Sequence, residues 1–215
     1  MTKDKKLTLF VSSTVYENRK LLDQLYPILT GFGYEVWMSH KGTVPINPGE
    51  NTFQSCLRAV KECDLFLGFI TPSYGSGISK SGPSITHKEI KCAIELDKPR
   101  WWVAHSEVVF ARRLLRDIGY DTPAQRKKLQ LKPGAKSITD LRVIDMYEDA
   151  MRHDEADLTM RTGNWVQEFN SDNDVLLFVE TQLSRIDEIK RIIKENIATP
   201  KTAKAQPKSR KGGAK

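Results

Sequence analysis

The sequence predicts an α/β fold: a parallel sheet of five strands with helices on both faces, followed by a C-terminal helical extension. Three observations carry this expectation. Short apolar runs of strand length recur at 7–11, 34–38, 64–70 and 100–104. The segments between them carry apolar residues at helical spacing. The third run, DLFLGFI, is almost continuously apolar, as a strand covered on both faces must be. Strands that alternate with helices build βαβ units, whose right-handed crossovers give a parallel, flavodoxin-like sheet.

Each element follows from its residues. The run 7–11 (LTLFV) ends in Ser12, Ser13 and Thr14, which suit the start of a helix. Leu21, Leu22, Leu25, Ile28 and Leu29 form one stripe of that helix, and Gly31 and Gly33 close it. Residues 34–38 (YEVWM) alternate as a second strand. Pro45, Pro48, Gly42 and Gly49 make 40–51 a loop. Phe53, Cys56, Leu57 and Val60 then share a helical face. After the third strand, 71–83 is rich in Gly and Ser, and Ser84 is a candidate N-cap for a helix over 84–96. Pro99 precedes the fourth strand.

Beyond it, 108–118 reads as a basic amphipathic helix and 122–131 as a shorter one. Residues 141–146 (LRVIDM) are expected to be the fifth strand, whereas 165–169 fits neither period cleanly. One long helix is expected over 173–196, with Val175, Val179, Leu183, Ile186, Ile189 and Ile193 on its stripe. The resulting organisation is a polar leader (1–6), an α/β domain (7–147) with a long insertion (105–137), a charged loop with a packed helix (148–198), and a basic tail (199–215).

Composition narrows the function. No apolar run approaches the ~18–20 residues of a membrane span, and the polar leader has no secretory signal core. Cys56, Cys63 and Cys92 lack CxxC spacing, so reduced thiols in a cytoplasmic protein are expected rather than a disulfide framework or zinc site. The formal charge is +7, but the segment 199–215 holds six basic residues and no acid, which leaves +1 for the rest. The basicity therefore belongs to a segment with no apolar periodicity, expected to be disordered, and nucleic acid is expected to be met only weakly there.

Sheets of this kind bind ligands at the carboxyl ends of their strands. The loops 12–17, 39–51 and 71–84 converge on that rim. In the helix over 84–96, Ile85, Thr86, Glu89, Cys92 and Ala93 share one face. Glu89 is thus a carboxylate on an otherwise small or apolar stripe, one turn inside the helix, and a candidate catalytic group. A surface glutamate paired with Lys88 or Lys91 is the plainer alternative. Ser12 and Ser13 suit substrate binding or capping, and Tyr74 and Trp37 suit base stacking or packing. Among His40, His87, His105 and His153 no metal-ligand spacing occurs, and His87 falls on the opposite side of its helix from Glu89.

Several short motifs occur in a telling order: Phe10-Val11-Ser12-Ser13-Thr14, Glu62-Cys63-Asp64 before the third strand, Thr71-Pro72-Ser73-Tyr74-Gly75-Ser76, Ser84 with Glu89 five residues on, and Glu95 to Pro99 (ELDKP). In this order they resemble the Toll/interleukin-1 receptor (TIR) domains, and most of all a TIR-like family catalogued as a domain of unknown function. The resemblance covers the first half of the chain. It departs from the usual Trp-Cys before the glutamate, where Ile85-Thr86 stands here, and in a longer loop before Ser84.

The resemblance implies cleavage of the nicotinamide–ribose bond of NAD, as substrate and not cofactor, to ADP-ribose or a cyclic ADP-ribose-type signal, with a role in antiviral defence. It implies Glu89 as the catalytic residue, with Ser12, Ser13, Tyr74, Ser84 and Trp37 near the substrate. It also implies a homo-oligomer assembled through the loop 40–51, with Pro45, Ile46, Asn47, Pro48 and Gly49 at its centre, and an effector protein encoded nearby. Two alternatives stay open: a non-catalytic self-assembly module, and an enzyme resembling nucleoside deoxyribosyltransferases.

Overall fold

Among the described residues, five strands and eight α-helices form a fold of the expected α/β class. The computed structural model describes residues 5–77 and 82–198, so most of the leader and all of the basic tail lie outside the described residues. In chain order the elements are β1 (Thr8–Ser12), α1 (Val15–Gly31), β2 (Glu35–Trp37), α2 (Thr52–Glu62), β3 (Leu65–Ile70), α3 (Ile85–Glu95), β4 (Arg100–His105) and α4 (Ser106–Asp117). Then follow α5 (Pro123–Arg126), α6 (Arg142–Ala150), β5 (Val166–Phe169), α7 (Asp172–Leu183) and α8 (Ile186–Ala198).

The strands lie in the order β2-β1-β3-β4-β5, all pairs parallel. This is the flavodoxin-like order. The chain leaves β1 to one side for β2 and returns on the other for β3, so the switch point falls between β1 and β3. There Ser12, the last residue of β1, stands in register with Gly68 of β3.

Every residue of β1 and β3 is buried. Leu9, Val11, Leu65 and Leu67 face a core built with α1, α7 and α8. Phe10, Phe66, Ile70 and Trp102 face the other core, built with α2, α3, α4 and α6. Side chains alternate across a strand, so one short run supplies both cores. Gly68 is the exception in β3, since an added Cβ would lie 2.5 Å from ring carbons of the fully buried Trp102.

The helix boundaries follow local chemistry. Asn51 caps α2 in a capping box with Gln54, Ser84 caps α3 through the His87 amide, and Thr122 and Ser171 cap α5 and α7. Each satisfies amides that no intrahelical carbonyl can reach.

Two expectations need correction. Residues 141–146 are not the fifth strand: Arg142–Ala150 is helix α6, with Val143, Ile144, Met146, Tyr147 and Ala150 buried along one face. The run LRVIDM is too short to tell the two periods apart, and Tyr147 and Ala150 complete the helical one. The fifth strand is Val166–Phe169, which among the described residues is an edge strand paired with β4 alone. The α/β domain therefore does not end at 147 but includes β5 and the helices after it. Secondly, 173–196 is two helices, broken at Ser184 and Arg185. The buried Tyr34 hydroxyl donates to the Leu183 carbonyl at 2.8 Å and satisfies the end of α7.

The insertion after β4 is anchored by one buried cation. The Arg126 guanidinium, with its side chain 3% exposed, bonds Asp145 at 2.6 Å and Glu148 at 2.5 Å, both on α6. No described helix is long and apolar enough to cross a membrane.

Candidate active site

A hollow opens at the switch point, at the carboxyl ends of β1 and β3. It encloses about 150 Å³. Ser12, Ser13 and Thr14 at the end of β1 form one side, Thr52 and Cys56 of α2 a second, and Gly75 and Ser76 after β3 a third. The amino-terminal turns of α3 close it with Ile85, Thr86 and Glu89. The lining is rich in hydroxyls, and among the described residues it includes no Lys, Arg or His. The hollow is smaller than the roughly 300–1,000 Å³ of a drug-sized site. It suits a sugar-sized moiety, and a larger ligand would extend from its mouth.

Glu89 occupies the position that helical spacing predicts. Its side chain turns inward, only 5% of the residue is exposed, and its carboxylate lines the hollow. The Ser12 hydroxyl donates to Glu89 Oε2 at 2.5 Å. Burial pushes the Glu89 carboxyl above its ordinary pKa, while hydrogen bonds from Ser12 and the Cys56 thiol favour the ionised form and offset part of that rise. Burial, with the neighbouring Glu89 charge, pushes the Cys56 thiol up to about 12. Cys56 is therefore a thiol donor to the carboxylate and not a nucleophile.

The rim is held by a second set of contacts. The Thr14 and Thr71 hydroxyls share a hydrogen bond of 2.7 Å, which ties the end of β1 to the end of β3. Gly75 has a φ of +80°, and an added Cβ would meet Thr14 at 2.8 Å, so this close approach requires glycine. The Ile85 amide donates to the Ser76 carbonyl at 2.9 Å and joins the loop to the start of α3.

The candidate residues divide. Ser12, Ser13 and Glu89 line the hollow together. Tyr74, Trp37 and Ser84 do not. Tyr74 is buried and its hydroxyl is bound to His87 Nδ1. Trp37 sits in the core with its indole N–H on Glu35. Ser84 is buried as the cap of α3. Stacking on a base is thus replaced by packing for both aromatic rings. Residues 45–49 lie away from the hollow, with Ile46 79% exposed at the surface. Cys56 and Thr86 join the site without having been assigned to it. Thr86 shares the Glu89 stripe, whereas Cys56 reaches the carboxylate from another helix, a pairing that no local spacing reveals.

A larger hollow of about 650 Å³ lies at the opposite end of the sheet, bounded by the α3–β4 turn and α8. Its charged groups are Lys61, Asp64, Asp97, Lys98 and Arg100, but it faces the amino ends of the strands, and its acids are engaged in the frame: Asp64 accepts from the Thr8 amide at 2.8 Å and Asp97 pairs with Arg100 at 3.2 Å. Chemistry and topology, not size, select the Glu89 hollow. No group of three or more His, Cys, Asp or Glu among the described residues could hold a metal ion.

No curated protein matches the chain. A solved structure described as the activated Roq1 resistosome directly recognizing the pathogen effector XopQ (TIR domains) is similar at 13% identity, covering 90% of this chain and 98% of that one, with a TM-score of 0.39. A family model matches residues 8–184, from the first residue of β1 to just past the end of α7. With the whole sheet and the Glu89 hollow inside that span, the chain belongs to the family described as domain of unknown function DUF4062.

Proposed function

We propose that the chain cleaves the bond between a ribose and its nitrogen base, with NAD as substrate and nicotinamide as the leaving group. The observation that carries this reading is the buried Glu89 carboxylate, held by Ser12 in a sugar-sized hollow at the switch point. The motif order around Ser12, Tyr74 and Glu89, with its resemblance to TIR domains, supplies the substrate.

The chemistry needs few groups. Nicotinamide leaves from a cationic pyridinium, so no strong acid is required. As the C–N bond lengthens, positive charge develops on the ribose. A carboxylate beside the ring stabilises that charge and orients the ribose hydroxyls. Ser12 and Cys56 donate to Glu89 and keep its oxygens aimed. Water then gives ADP-ribose, or a nucleophile within the substrate gives a cyclic product that serves as a signal. The exposed Ile46 in the loop 40–51 supports assembly of copies through that loop.

The hydroxyl-rich lining, with no Lys, Arg or His among the described residues to meet a pyrophosphate, favours a second reading, in which a neutral nucleoside and not a dinucleotide is cleaved. Incubating purified protein with NAD, and separately with deoxynucleosides, and following base release by chromatography decides between them. Nicotinamide release that disappears in Glu89→Gln supports the first reading. Release from deoxynucleosides alone supports the second, and release from neither rejects both.

A further inference from the structure

On the face of α3 opposite Glu89, three polar side chains form a continuous chain that is buried at Tyr74 and His87 and half-buried at Asp149. The Tyr74 hydroxyl lies 2.6 Å from His87 Nδ1, and His87 Nε2 lies 2.6 Å from Asp149 Oδ2 on α6. Tyr74 and His87 are 3% and 4% exposed. Burial alone would raise the Asp149 carboxyl, but the hydrogen bond from His87 and the nearby Lys91 ammonium outweigh it and hold it below the usual carboxylate range. Asp149 therefore only accepts. His87 Nε2 must donate to it, which in the neutral ring leaves Nδ1 to accept the Tyr74 hydroxyl. Every link is satisfied in one direction.

The chain begins beside the hollow. Tyr74 directly precedes Gly75 and Ser76, which form one wall. The same stretch is tied to the segment leading into α6. The Tyr74 amide donates to Thr139 Oγ1 at 3.2 Å, and the Thr139 amide donates to the Pro72 carbonyl at 3.1 Å. The Arg142 guanidinium stacks 4.5 Å from the Tyr74 ring centroid and donates to the Gly82 carbonyl at 2.6 Å. The wall of the hollow thus rests on α6 and its approach, part of the stretch where the sequence is hardest to read.

We propose that His87 is a positioning residue for the Glu89 site: it joins Tyr74 to Asp149 and thereby holds the Gly75–Ser76 wall against α3 and α6. His87 itself touches no substrate. It stands two residues from Glu89, so one helix carries the reacting group on one face and the tie for the opposite wall on the other. This rests on reading the Glu89 hollow as the substrate site.

The test combines site-resolved hydrogen exchange with kinetics on His87→Ala, and on the milder Tyr74→Phe, which deletes a single oxygen. In both variants, exchange of the amides at 74–76 and 85 rises roughly tenfold or more, while the central strands β1 and β3 are unchanged. KM for NAD rises by more than kcat falls, because the Ser12–Glu89 contact is untouched. Asp149→Asn, which retains an acceptor oxygen, gives a smaller effect of the same kind. Unchanged exchange at 74–76 overturns the proposal, as does a uniform rise across the sheet with KM unaltered. If the wild-type chain does not cleave NAD, the functional reading fails, and the exchange arm alone decides whether His87 holds the wall.

Discussion

Replacing Ser12 with Ala deletes the hydroxyl that donates to Glu89 at 2.5 Å in a fully buried setting. A hydrogen bond to a charged group contributes about 1.5–3 kcal/mol, against about 0.5–1.5 kcal/mol for a neutral pair. Burial raises the Glu89 pKa above its unfolded value, so ionising it in the folded state costs stability as pH rises through that raised pKa. The Ser12 bond offsets part of this cost, and only once the carboxylate has formed. Ser12→Ala is therefore expected to destabilise the protein by about 1.5–3 kcal/mol where Glu89 is ionised, and by about 0.5–1.5 kcal/mol at acid pH where it is protonated in both proteins. Urea unfolding of the two proteins at acid and mildly alkaline pH measures the difference. A cost that is the same at both, or larger in acid, would refute the reasoning that Ser12 serves the ionised carboxylate.

Gly68→Ala places a Cβ 2.5 Å from the Trp102 ring, whose N–H is already fixed to the Gly163 carbonyl at 2.8 Å. A loss of about 1–3 kcal/mol is expected in the denaturant midpoint. Arg126→Leu removes the guanidinium that Asp145 and Glu148 share but leaves Glu148 its bond from Arg112 at 3.0 Å, so a loss of about 1.5–3 kcal/mol is expected by the same measurement. If ionised Glu89 stabilises the developing ribose cation, the pH profile of kcat/KM has an acid limb above the ordinary carboxylate range, because burial raises the Glu89 pKa. A limb at the ordinary value contradicts a buried catalytic carboxylate.

The first half of the chain is legible because most elements there are long enough to show their own period, and the three-residue β2 lies in an alternating run bounded by Gly33 and a loop rich in Pro and Gly. The fully buried runs of β1 and β3, the stripe of α1 and the caps of α2 and α3 all mark themselves locally. Glu89 could be placed for the same reason: a helix fixes the direction of a side chain from its register alone. Beyond β4 the signals fail for physical reasons. The apolar residues of α6 fall close together, and a six-residue window through them mimics a strand. β5 is a four-residue edge strand with little sequence of its own to declare it. The stripe of α7 continues in phase into α8 through Leu183, Ile186 and Ile189, so the break at Ser184 leaves no mark in the periodicity. The contacts of Cys56, Tyr74 and His87 join separate elements, and pairings of that kind are properties of the fold and not of any local window.

Nicotinamide release by purified wild-type protein and Glu89→Gln, measured side by side with their unfolding midpoints, decides whether the buried carboxylate carries the chemistry. The glutamine keeps the shape and can still accept from Ser12, but it carries no charge. A fall of about 10²- to 10⁴-fold in rate, with the midpoint unchanged or raised, is the expected result. A variant that stays folded and retains the wild-type rate would remove Glu89 from the chemistry.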